Sequence, residues 1–214
     1  RDSLHELIHN PTVVLDESLL LSMVKNVAAG MHYLHSMEPP VLHGTLRTVN
    51  VLVDSNLTAK VAEFGLTCKT MNDGRIFATA PEMLTGRARN LTAAQDVYSF
   101  GTLLYEVFMR VPPTESMDPH EWLANLEEDR YQPLTLTEAR CCNATVRQLA
   151  VQCQALNPAE RPTFAEVNAV LQQIADTSIS QLMHGLQSKR RILDDILPPK
   201  IGEMLAQGKK VEPE

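Results

Sequence analysis

The chain has 214 residues, 44% of them hydrophobic and 21% charged, with a net charge of -7. That is the make-up of a globular domain with a substantial core, and its acidity argues against nucleic acid or an anionic membrane as the main partner. No apolar run approaches the roughly 18 residues that a membrane span needs.

The opening runs straight from Arg1 into the amphipathic stretch Ser3 to Ile8, with no signal-peptide pattern, and reads as a fragment cut from something longer. Asp16 or Glu17 then opens a predicted helix in which Leu20, Val24, Val27, Met31 and Leu34 recur at helical spacing, so one face is buried. Pro39-Pro40 ends it. Two short β-like runs follow, "VLVD" and "AKVAEF", parted by the turn residues Asp54-Ser55-Asn56. From there the pattern is helical. "LTAAQDVYSFGTLLYEVFMR" is apolar almost all round and reads as a central buried helix. "VPPTESMDP" reads as a loop. "PHEWLANLEE", "NATVRQLAVQCQAL" and "TFAEVNAVLQQIAD" read as further helices, the last capped by Thr163 with Glu166 three residues on.

The four cysteines, Cys68, Cys141, Cys142 and Cys153, show no metal-ligand spacing and read as reduced thiols of a cytoplasmic chain. His32, His35 and His43 are scattered without metal spacing, and His43 reads as a core histidine bracing its loop.

Five landmarks stand in one order: "HGTLRTVN", "AEFGL", "ATAPEML", "DVYSFGTLLYE" and "NPAERPTF". Together they resemble the C-terminal lobe of a protein kinase of the tyrosine-kinase-like kind, from about residue 3 to 175. The resemblance implies structural roles for Glu82 and Arg161, as an ion pair, and for Asp96, as a buried brace under the loop that begins at His43. Gly65 closes the family's D-F-G element. Asn50 and Glu63 are the candidates to hold ATP and Mg2+, in company with an N-terminal lobe that this fragment lacks.

The chemical positions depart from the family. Thr45 stands where the family has its catalytic aspartate, and a neutral hydroxyl cannot serve as that base. Arg47 replaces a lysine and keeps charge but not shape. Glu63 replaces the D-F-G aspartate and adds a methylene to a magnesium site that wants near-ideal octahedral geometry. Gly44 removes the arginine that anchors a phosphorylated activation segment. Arg75, in place of a threonine, would obstruct peptide docking. No intact catalytic set remains.

Beyond residue 177, Ile179, Leu182, Leu186, Leu193 and Ile196 follow a short heptad seam, with Lys189 in one seam position. Pro198-Pro199 breaks it, and "KIGEMLAQGKKVEPE" follows. From Arg191 to Glu214 this order resembles the segment that precedes a class III nucleotide cyclase domain, and "HGTL" with "TAPE" resembles the kinase-homology domain of receptor-type guanylate cyclases.

The expected fold is therefore mainly α: the C-terminal lobe of the α+β protein-kinase-like fold over residues 1–176, then a coiled-coil signalling helix over 177–214. The expected function is that of a regulatory pseudokinase segment. It would dimerise with itself through Leu182, Leu186, Leu193 and Ile196 and relay a signal to a downstream cyclase domain. Neither nucleic acid nor membrane touches it, although the parent protein could be a membrane receptor with this part inside the cell. The alternatives are a fragment of an active ATP-dependent protein kinase and a non-catalytic scaffold.

Overall fold

A computed structural model describes residues 2–65, 73–128 and 130–174. The chain divides into two units, Arg1–Leu171 and Gln172–Glu214. The first carries the sheet, the central helix and the loop motifs. The seam positions Leu182, Leu186, Leu193 and Ile196, with the whole segment 177–214, lie outside the described residues.

Helix α1 (Leu4–His9) begins at a reciprocal cap: the Ser3 hydroxyl accepts the Glu6 N–H while Glu6 Oε2 accepts the Ser3 N–H at 2.7 Å. Helix α2 (Glu17–His35) begins where Asp16 accepts the Leu19 N–H at 2.7 Å. Its predicted face is buried, and Met23 and Ala28 join it.

The sheet has three antiparallel strands in the order β1 (Asp2–Ser3), β2 (Val51–Val53), β3 (Ala59–Val61), with Asp2 opposite Val53 and Val51 opposite Val61. Two residues are too few for β1 to show a period in sequence. The β2–β3 turn is built on Asp54, whose Oδ1 accepts the N–H groups of Asn56 and Thr58. The Lys60 ammonium, with those backbone donors, holds the Asp54 carboxyl down to about 2. The expected run "AKVAEF" stops at Val61. Glu63 adopts a φ of 56° and Gly65 a φ of 74°, left-handed values that no extended ladder accommodates.

Helices α3 (Asp73–Ile76) and α4 (Pro81–Leu84) precede the central helix α5 (Ala93–Met109). Thr92 and Gln95 tie its start, Gln95 Oε1 accepting the Thr92 N–H at 3.0 Å. Every residue from Gln95 to Phe108 is buried, so α5 is the axis on which the other elements pack. The stretch expected as a loop after α5 contains a single helical turn, α6 (Pro113–Ser116), because Pro113 presets φ at its first position. Helices α7 (Pro119–Glu127) and α8 (Ala144–Cys153) follow. A last helix starts at Phe164, where Glu166 Oε2 accepts both the N–H and the hydroxyl of Thr163, at 2.7 and 2.8 Å.

Helix α5 comes close to α8 at Gly101. A Cβ there would lie 2.7 Å from Gln154 Cγ and 2.9 Å from Cys153 Cβ. Gln154 cannot swing aside freely, since its amide is bonded to Leu134 N, Leu134 O and Ala150 O at 3.0 Å each. Alanine would gain about 1 kcal/mol in helix propensity over glycine. Overpacking costs about 1–3 kcal/mol, and the fixed neighbour places the cost at the upper end. Gly101→Ala is expected to lower the urea midpoint of the lobe; an unchanged or higher midpoint would show that α8 yields.

Candidate functional site

The site is organised from below by Asp96, in the first turn of α5. It is 0% exposed, and its carboxylate accepts from the backbone N–H of His43 at 2.8 Å, the N–H of Gly44 at 2.7 Å and His35 Nε2 at 2.9 Å. A buried carboxylate without such donors would cost several kcal/mol. With them it dictates where residues 43 and 44 lie. His35 sits 61 residues before Asp96 in the chain, and nothing in its local sequence announces the contact.

His43 is 1% exposed. Burial lowers its pKa below the ordinary 6.5, outweighing the opposite pull of Asp96. Its Nδ1 accepts the Thr45 N–H at 3.3 Å. Gly44 takes a φ of 76°, and a Cβ on it would meet Leu91 Cδ2 at 2.8 Å.

Thr45 is engaged throughout. Its hydroxyl lies 3.3 Å from His43 Nδ1 and 3.5 Å from the Glu63 carbonyl, and it accepts from Asn50 Nδ2 at 3.3 Å. A hydroxyl has one proton to give, and both neighbours that could take it belong to the surrounding loops. Asn50 Nδ2 also donates to the Thr45 carbonyl at 2.7 Å, which fixes the amide nitrogen and leaves the oxygen as the candidate ligand atom. The backbone closes the arrangement: Ala62 N–H reaches Asn50 O at 3.0 Å and Gly65 N–H reaches His43 O at 3.3 Å. Glu63 is exposed, on a left-handed backbone.

Thus His43, Thr45, Asn50, Glu63, Gly65 and Asp96 form one constellation. Arg47 lies apart from it, lining a cavity of about 550 Å³ with His5, Ser99, Thr102, Glu106 and Pro113. Burial lowers its pKa; Glu106 works against that and Arg75, a like charge, adds to it.

Glu82 and Arg161 form a separate cluster. The guanidinium meets both carboxylate oxygens at 2.7 Å, lies over the Tyr98 ring at 5.1 Å, and donates to Ala155 O at 2.8 Å and Ala94 O at 3.1 Å. This bidentate pair joins α4 to the segment before the last helix. Removing one partner of such a buried pair typically costs about 3–5 kcal/mol. Ser99 and Thr102 of α5 bond to the carbonyls of Ala78 and Phe77 at 2.7 and 2.9 Å and hold the stretch before α4 on the same axis.

The chain belongs to the protein tyrosine and serine/threonine kinase family, whose model matches residues 1–171. Among curated proteins it is similar to the dual specificity protein kinase shkA of Dictyostelium discoideum, 33% identical over 186 residues. It is similar to the serine/threonine-protein kinase CTR1 of Arabidopsis thaliana, 32% identical over 187 residues, and to the dual specificity protein kinase pyk3 of Dictyostelium discoideum, 29% over 186. These matches cover 81%, 84% and 84% of this chain but only 34%, 22% and 13% of the three relatives. The chain therefore spans a minor part of each.

The lowered pKa of His43 sets a pH dependence. The folded state disfavours the proton that the unfolded state accepts near 6.5. This contribution to stability is complete above that pH and is lost as pH falls toward the folded value. His43→Phe is expected to flatten the drop in Tm between about pH 7 and 5.5. An equally steep drop in the variant would assign the dependence to other groups.

Proposed function

We propose that the chain is the C-terminal lobe of a protein-kinase domain that has given up phosphoryl transfer and works as a regulatory module. The observation that carries this reading is residue 45. In the family a loop aspartate orients the substrate hydroxyl and accepts its proton. Here a threonine hydroxyl fills that place, and its hydrogen bonds run to His43, Asn50 and Glu63. It has no carboxylate to take a proton and no free orientation toward a substrate.

Nucleotide and metal ligation are a separate matter. The Asn50 amide oxygen and the exposed Glu63 carboxylate are the oxygen types that Mg2+ takes beside phosphates. ATP with Mg2+ would supply a transferable phosphoryl group if bound. In this reading it supplies a binding signal, with Asn50 and Glu63 as the protein's share of the ligands.

The finer reading is a relay to a nucleotide cyclase domain, with self-dimerisation through Leu182, Leu186, Leu193 and Ile196. It is supported by the order of residues from Arg191 to Glu214. Conformational bias passes through such a helix only if its two states differ in their interaction with the ligand above. An active ATP-dependent protein kinase is the second reading. It is supported by the relatives, named as kinases, and by the survival of Asn50, Gly65 and the Glu82–Arg161 pair. Positioning and metal electrostatics alone supply much of phosphoryl-transfer catalysis.

One assay separates these readings. The full-length protein is given ATP or GTP with Mg2+ or Mn2+, γ-labelled to read phosphoprotein and, in parallel, α-labelled to read cyclic nucleotide. The expected outcome is cyclic nucleotide without phosphoprotein. Phosphoprotein that the wild type makes and an Asn50→Ala/Glu63→Ala variant does not would establish the kinase reading, and neither product would leave the scaffold. The doubly restored variant Thr45→Asp/Glu63→Asp is expected to raise phosphoryl transfer above wild type. No gain would place the defect elsewhere than in these two positions.

A further inference from the structure

On α1, His5 and His9 stand four residues apart, so both rings project to one side of the helix. That side faces the middle of the lobe. His5 Nδ1 lies 2.8 Å and His9 Nε2 3.0 Å from the same atom, Oε1 of Glu106 on α5. The two rings are 4.4 Å apart between centroids, and one donor atom from each of the three residues lies within 4.8 Å of the others. We propose that His5, His9 and Glu106 are the protein ligands of a zinc site.

The spacing fits the metal. Tetrahedral Zn2+ with bonds of 2.0–2.2 Å holds its ligand atoms about 3.3 Å apart. The two nitrogen–oxygen separations need only a few tenths of an ångström of adjustment. Two imidazoles and one carboxylate are a donor set that suits zinc and not Mg2+ or Ca2+, which take oxygen.

The frame is rigid where it has to be. Glu106 is 7% exposed on the buried central helix. Arg110, at the end of α5, reaches back to the C-terminal end of α1, donating to Ile8 O at 2.8 Å and Asn10 O at 3.1 Å. The Ser3–Glu6 cap fixes the other end of α1. The 550 Å³ cavity lined by His5 and Glu106 leaves room for a water or another ligand in the fourth position.

The sequence His5-Glu6-Leu7-Ile8-His9 has the H-E-x-x-H spacing in which a glutamate can act as general base beside zinc. Glu6 is not placed for that work. Its Oε2 accepts from both the N–H and the hydroxyl of Ser3, at 2.7 and 3.0 Å. The site is therefore a clamp of α1 onto α5, not a hydrolase centre. Arg47 lines the same cavity and feels the charge of Glu106, so it opposes a cation there. This inference stands whether or not the loop transfers phosphate.

The test uses the full-length protein, stripped with a chelator and titrated with ZnCl2 against a chromophoric chelator. The wild type is expected to bind one more equivalent than His9→Gln or Glu106→Gln. The weakening should exceed the roughly 10–100-fold that loss of an outer partner brings. Arg47→Met is expected to bind more tightly than wild type, a gain that misfolding cannot mimic. In the wild type alone, Zn2+ should protect His5 and His9, and not the exposed His120, from diethyl pyrocarbonate. Equal stoichiometry in wild type and His9→Gln, or no protection of His5 and His9, would overturn the site.

Discussion

A single buried carboxylate determines the shape of the functional face. Asp96 gathers two consecutive backbone N–H groups and an imidazole around it, and it sits in a helix with no solvent-facing side over most of its length. The cost of burying that charge is offset only while His43 and Gly44 keep their places. The loop is consequently a by-product of packing. The brace itself does not involve position 45, which makes no hydrogen bond to Asp96.

Shape and chemistry are therefore separable in this lobe. The bidentate Glu82–Arg161 pair, the brace at Asp96 and the Ser99 and Thr102 contacts all join segments distant in sequence to the central helix or its surroundings. None of them needs a proton acceptor in the loop. The residue at position 45 is therefore free to differ without disturbing these contacts. The Thr45 hydroxyl goes further, since it bonds to groups on both sides of the loop.

Much of this was readable in the residues. The long helices α2, α5, α7 and α8 announce themselves by period and caps, because each buries a continuous face over several turns. The order of the five motifs carries the family. The one-turn helices are a different matter: α6 depends on a proline at its first position, and α3 and α4 are too short to show a period. Glu63 reads as part of a strand because glutamate gives no local sign of a left-handed backbone. The contacts of His35 with Asp96, and of His5 and His9 with Glu106, join residues 61 to 101 positions apart. The four-residue spacing of His5 and His9 is visible in the chain; the carboxylate that gives it meaning is not.

The backbone at Gly44 limits which side chains the loop can carry there. An arginine introduced there would have to enter left-handed space, at about 1–2 kcal/mol. It would also have to displace the Leu91 side chain from the volume that a Cβ needs. Positions 44 and 91 are therefore tied: a side chain at 44 needs another rotamer, or a smaller residue, at 91.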